Sequence, residues 1–321
     1  MRAFSRPAHP SQMSGEMRPG SLAALVVAAP LAFGLAGCSS VRGPDADAPL
    51  GTLTDSISEL QMHLQVDTYQ SAAHLRDSGP NAFEISLQRL DRLASQLVAD
   101  RREAAPEALV IQFARGRALE RLRRYAEAAG AFAIVAARPG PLRDAALRSA
   151  RTNELFASHI LAAHATIAAD AARDVSYLDA WVSQWTALAE ALADSAHGSL
   201  AREEAEAWEQ ARVEHLLGAG DPDGALRACH QLVAHHRESK HYAGHLIRLG
   251  DLYAESIRRR HVSVLARRAA FDSRQYERDL ERAFSAYQMA AEAREPHLRR
   301  LAAMKIEALL AYHEGVQSDV R

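Results

Sequence analysis

Six prolines follow residue 50, and all six, Pro80, Pro106, Pro139, Pro141, Pro222 and Pro296, fall between stretches of helical period. Proline removes a backbone donor and clashes with the preceding turn, so its confinement to boundaries leaves the intervening stretches free to form unbroken helices. Within those stretches the apolar residues recur at three and four: Phe83, Leu87, Leu90, Ala94 and Leu97 share one face. Leu298, Leu301, Met304 and Leu309 share another, with Ala302 and Ala308 beside them. Alanine, leucine, glutamate and arginine dominate, and no run of alternating β-branched residues is bounded by turns. The chain reads as all-α. Helices are expected near 54–77, 81–101, 106–122, 125–137, 142–156, 158–172, 175–195, 199–217, 223–236, 241–271, 274–294 and 297–314. The short connections between them suit antiparallel hairpins.

Composition excludes several function classes. Of 321 residues, 38 are Lys or Arg and 40 are Asp or Glu, a formal charge of -2 that supplies no broad positive field for a phosphate backbone, so no nucleic-acid partner is expected. Two cysteines build neither a disulfide framework nor a four-sulfur zinc site.

The amino terminus carries an address. The apolar stretch from Leu22 to Phe33, LAALVVAAPLAF, is about half the length a membrane-spanning helix needs, which favours a cleaved export signal. It runs into Leu35-Ala36-Gly37-Cys38, which resembles the lipobox of bacterial lipoproteins. That resemblance implies a signal peptide over 1–37, acyl chains such as palmitate on Cys38, and attachment to the cell envelope. Ser39, in place of Asp, implies the outer membrane with the protein facing the periplasm. Residues 38–53 hold prolines, glycines and small polar side chains without apolar period and read as a flexible tether.

The segment FARGRALERLRRYAEAAGAFAIVAARP, residues 113–139, is similar to a tetratricopeptide repeat, a helical hairpin of about 34 residues. Gly116 stands at the small site of the first helix with Leu119 three later. Tyr125 lies at the turn, Ala128 where the second helix crosses the first, Phe132 four on, and Pro139 near the end. A small residue at a crossing lets two backbones approach while large residues one turn away fill the adjoining groove. A weaker copy covers 208–236, with Leu216, the turn Gly220-Asp221-Pro222-Asp223 and Ala225; Val213 takes its small site and Cys229 its large one. A third begins at Leu249-Gly250 and Tyr253 and resumes at Ala283, Tyr287 and Ala290, with Pro296 following. The insertion between its halves predicts one elongated hairpin projecting from the array. Residues 142–172 keep Ala150 and Ala162 at the expected crossings.

What the resemblance implies is a right-handed α-solenoid of hairpins over 54–315, with a groove lined by the first helix of each pair. The corresponding partner-binding positions are Phe113, Arg117, Glu120 and Arg121, then Gln210 and Glu214, then Ile247 and Asp251. Arg117 and Arg121 are four apart and could together receive a peptide carboxylate.

Other constellations compete with this reading. Residues 229–245 hold Cys229, His230, His235, His236, His241 and His245. His241 and His245 would share a helical face, so a metal site using His235, His241 and His245 is an alternative. No HExxH motif supports it, and histidines near a helix C-terminus are favoured by its dipole in any case. Arg258, Arg259, Arg260, Arg267 and Arg268 could meet lipid phosphates or pair with the nearby acids Glu255, Asp272, Glu277, Asp279 and Glu281. Glu203, Glu204, Glu206 and Glu209 beside Trp208 look like a wet helix face, and Trp181 and Trp185 like core anchors. No GxSxG elbow, phosphate loop or GxGxxG follows. The sequence therefore points to a non-catalytic, lipid-anchored envelope scaffold without cofactor that binds a protein or peptide, with an envelope metal-binding accessory protein as the alternative.

Overall fold

The computed structural model describes residues 48–70, 81–102, 104–170, 175–266 and 271–320. The expected signal segment 1–37, the expected tether from Cys38 to residue 47, and Arg267 and Arg268 lie outside the described residues. The remainder form eleven helices and no strand: α1 (Ala48–Val66), α2 (Ala82–Ala99), α3 (Pro106–Arg121), α4 (Tyr125–Ala136), α5 (Arg143–Asp170), α6 (Ser176–Ala191), α7 (Ala196–Gly218), α8 (Pro222–His235), α9 (Tyr242–Leu265), α10 (Ser273–Ala291) and α11 (Pro296–Val320). The described fold is all-α. No described helix is long and apolar enough to cross a membrane.

Local chemistry sets the boundaries. Proline opens α3, α8 and α11, where its missing donor is harmless. The side chains of Asn81, Asp221 and Asp272 accept from Phe83 N at 2.9 Å, Gly224 N at 2.8 Å and Gln275 N at 3.0 Å, capping α2, α8 and α10. Helix α1 starts earlier than expected, at Ala48, and ends earlier, at Val66. The two helices expected at 142–156 and 158–172 are one continuous helix, α5, because nothing between Phe156 and Ser158 breaks the backbone ladder. Ala162 is accordingly exposed on α5 and marks no crossing.

Each helix packs on its chain neighbours, except that α5 and α6 barely touch, and α1 also touches α3 and α9 touches α11. Three apolar clusters result. One joins α1 to α5 through Leu60, Phe83, Leu90, Ile111, Phe132 and Ala146. A second, in α7 to α11, is built on Leu232, Leu246, Ile257, Tyr253, Tyr287 and Val316. Between them lies a small aromatic cluster of Tyr125, Phe156 and Trp185 with Leu200, Ala201 and Ala205. Its rings meet edge to face, Phe156 lying 5.1 Å from both Tyr125 and Trp185.

The small sites do what their size allows. A Cβ on Gly116 would lie 2.6 Å from the Phe132 ring, and one on Gly250 would lie 2.5 Å from the Tyr287 ring. Only glycine admits an aromatic ring that close to the helix axis. Ala128, Ala225 and Ala283 are fully buried. The α7–α8 pair carries Val213 and Cys229, both buried, so the larger residue there sits on the first helix and the smaller on the second.

Two expectations are corrected. The buried face of α11 is Leu298, Ala302, Ile306, Leu309 and Val316, while Leu301 and Met304 are exposed. The elongated hairpin α9–α10 does not stand clear of the rest. Helix α11 runs alongside it, with Tyr312 Oη 2.9 Å from His261 Nδ1 and His313 Nδ1 2.9 Å from Tyr276 Oη.

Candidate functional site

Helix α7 brings most of the charged chemistry together. Ala201 and Ala205 turn one side of its first half toward the aromatic cluster, which carries the adjacent acids inward with them. Glu204, Glu206 and Glu209, expected on a wet face, are buried, and Glu203 is largely so. A buried carboxylate persists only with donors around it, and each of these has them.

Glu203 Oε1 accepts from Arg121 Nη1 at 3.1 Å, and its Oε2 lies 3.6 Å from Lys240 Nζ. Glu204 accepts from Tyr125 Oη at 2.7 Å and from the guanidinium of Arg123, whose Nε lies at 2.5 Å. Arg123 adopts the left-handed conformation, φ 58°, at the α3–α4 turn, a strained geometry for a residue with a Cβ. Glu206 accepts from Ser239 Oγ at 2.5 Å and meets His245 Nε2 at 2.6 Å. Glu209 meets His235 Nδ1 at 2.8 Å and lies 3.6 Å from His236 Nε2. Burial alone would push the carboxyls of Glu206 and Glu209 up, but the histidines, with Ser239 on Glu206, hold both below the usual glutamate range.

The same pattern continues on α3. Glu120 is completely buried, with Arg117 at 2.6 Å, Asn153 at 2.6 Å and His197 at 2.8 Å. Against the burial that would raise it, Arg117, His197 and Asn153 keep this carboxyl low as well. Arg121 is buried between two carboxylates, Glu203 and Asp67, with its Nη2 2.7 Å from Asp67 Oδ2. Burial would lower its pKa; the two acids raise it.

These groups surround a cleft of about 280 Å³ lined by Arg121, Arg123, Tyr125, Leu200, Glu203, Glu204, Glu206, Ala207, Gln210 and His241. Two expected partner-binding residues, Arg121 from α3 and Gln210 from α7, therefore face one space. The rest are elsewhere. Phe113 packs edge to face on Phe132 at 5.3 Å, and Arg117 is committed to Glu120. Glu214 pairs with Arg248 at 2.6 Å on an exposed face. Ile247 is buried in the second core, and Asp251 accepts from Tyr287 Oη and Lys305 Nζ. The expectation that Arg117 and Arg121 stand together to receive an outside carboxylate is thus corrected, since each already holds acids of this chain.

The histidine cluster is likewise divided. His235 and His245 serve different glutamates, and His241, its pKa lowered by burial, sits at the start of α9. Among the described residues no group of three or more His, Cys, Asp and Glu is placed to hold a metal ion. Cys229 is fully buried, and burial pushes its thiol up to about 12. Around Arg258 the acids do pair: Glu255 lies at 3.0 Å and Asp279 lies 3.5 Å from Arg260.

Sequence reasoning missed Asp67, Tyr69 and Lys240, which complete this network from outside the repeat positions. One signal was available: an acidic stripe on one helix lies a single hairpin away from a histidine-rich segment, and the two are complementary. Comparison with known protein families, curated proteins and solved structures returned no match.

Proposed function

We propose that the chain is a lipid-anchored scaffold of the bacterial cell envelope, a right-handed tetratricopeptide-like α-solenoid that holds a protein or peptide partner and makes no bonds. The observation that carries the reading is convergence: α3, α7 and the start of α9, the first helices of three hairpins, all contribute to one cleft through Arg121, Gln210 and His241. The glycine crossings at Gly116 and Gly250 support it, because they fix how two of those hairpins close. Gln210 is exposed at the cleft and offers both a donor and an acceptor to a peptide backbone.

A photo-reactive residue placed at Gln210, compared with one at the exposed Arg151 on α5, tests the groove in living cells. A discrete adduct from Gln210 alone supports it. Identical adducts from both positions, or none from Gln210, reject it. Membrane attachment is tested separately: Cys38→Ala should move the protein from the membrane to the soluble envelope fraction, and retention in the membrane refutes the anchor.

A further inference from the structure

Four residues that follow α1, Asp67 to Gln70, have no helix or strand of their own, yet Asp67, Tyr69 and Gln70 are each held by other elements. The Asp67 carboxylate is gripped by Arg121 Nη2 at 2.7 Å and Lys240 Nζ at 2.8 Å. The Tyr69 N–H donates to Ser199 Oγ at 3.2 Å, and its carbonyl accepts from Lys240 N–H at 2.8 Å. Its ring is buried against His236 with centroids 5.9 Å apart, and the phenol lies 2.6 Å from His236 Nδ1. Gln70 Nε2 donates to Glu238 at 2.9 Å. A charged grip, main-chain hydrogen bonds and an aromatic pocket are together how folded surfaces read short peptides.

The groups that receive the segment also have partners among themselves. They come from α3, the start of α7 and the α8–α9 connection. With Asp67 withdrawn, Arg121 and Lys240 still face Glu203, so two cations share one carboxylate and a single positive charge awaits an anion. His236 likewise keeps Glu209 as a neighbour.

We infer that this surface is a peptide-binding site occupied in the structure by the chain's own segment, and that its partner presents an aspartate, any residue, then a tyrosine. The inference rests on the partner-holding role proposed above and names the sequence that role would read. A tethered occupant competes at an effective concentration of roughly millimolar, so the intact chain binds such a peptide weakly until the segment is displaced.

The probe is a capped, fluorescein-labelled peptide Val-Asp-Thr-Tyr-Gln, the sequence of residues 66–70. Full-length Asp67→Ala/Tyr69→Ala protein should bind it saturably and at least about ten-fold more tightly than the unaltered chain. Adding Lys240→Glu to the double variant should abolish binding, as should alanine at the peptide's aspartate and tyrosine. A helical double variant that ignores the peptide overturns the inference, while a Gln210 adduct retained in cells leaves the scaffold role standing. A concentration-dependent dimer of the unaltered chain that the free peptide dissolves also overturns it, by assigning the site to a second copy. If the double variant loses its helical signal, hydrogen exchange of the unaltered chain decides. Exchangeable occupancy requires the Tyr69 and Lys240 amides to exchange at least about ten-fold faster than that of Leu119 within α3. Equal rates mean the segment is permanent structure.

Discussion

The apolar cluster that joins α1 to α5 closes around Leu90, Ala128, Phe132 and Ala146, all fully buried, whereas the ionic contacts centred on α7, and reaching Glu120 of α3, bury Glu204, Glu206 and Glu209 beside small apolar residues. The first arrangement gains from every apolar surface removed from water, in any direction that fits. The second gains little from burial itself and depends on donors arriving at 2.5 to 2.8 Å from four other parts of the chain. Dry packing holds α1 to α5 together, and ionic matching ties α7 to the parts of the chain around it. Geometric error is therefore tolerated differently in the two places: a slightly misplaced leucine still avoids water, but a slightly misplaced carboxylate loses its compensation.

The sharpest way to break the contrast is steric. Gly116→Val should destabilise by about 3 kcal/mol or more in urea unfolding, because its Cβ would lie 2.6 Å from the edge of the Phe132 ring. Phe132→Leu in the same chain should recover part of the loss; no recovery would show that the ring is not what the glycine admits. Next, Glu120→Ala should cost about 2 kcal/mol, since it strands Arg117, Asn153 and His197 around a vacated buried site. A cost below about 0.5 kcal/mol would mean the ionic region contributes no more than surface charge.

Acid should act on the buried ionic contacts and spare the apolar clusters. The carboxyls of Asp67, Glu120, Glu206 and Glu209 are held below their ordinary values in the fold. A depressed folded pKa gives stability that is present above the unfolded value, about 4 to 4.5, and is lost as pH falls through the folded value. The unfolding midpoint should thus drop steadily below about pH 4.5, and Glu120→Gln, Glu206→Gln and Glu209→Gln together should flatten that slope. A slope unchanged in the triple variant would place the acid-sensitive groups elsewhere. The smallest effect belongs to the exposed pair: Glu214→Ala, which frees Arg248, should shift stability by less than about 0.5 kcal/mol.

The all-helical architecture and the glycine crossings were legible because they depend on local period and on residue size. Proline at the starts of α3, α8 and α11, the caps Asn81, Asp221 and Asp272, and the pairing of Gly116 with Phe132 all act within one hairpin. The length of α5 was misread because a repeat pattern suggested a turn where the residues supply no breaker. The face of α11 was misplaced because Leu301 and Met304 are as apolar as the residues that pack, and only the neighbouring α9 decides which stripe is covered. The candidate cleft was the least legible part. The glutamates of α7 read as solvated because their compensating groups, Tyr125, Arg123, His245 and His235, lie 26 to 81 residues away in the chain. Arg121 does line the cleft, but its two acidic partners are Asp67 and Glu203, which no spacing rule connects to it.

Helices α5 and α6 barely touch, so what fastens the first five helices to the rest is the small Tyr125, Phe156 and Trp185 knot and the ionic matching beside it. A force separating the first five helices from the last five would load that junction first, because it buries fewer apolar residues than either flanking core.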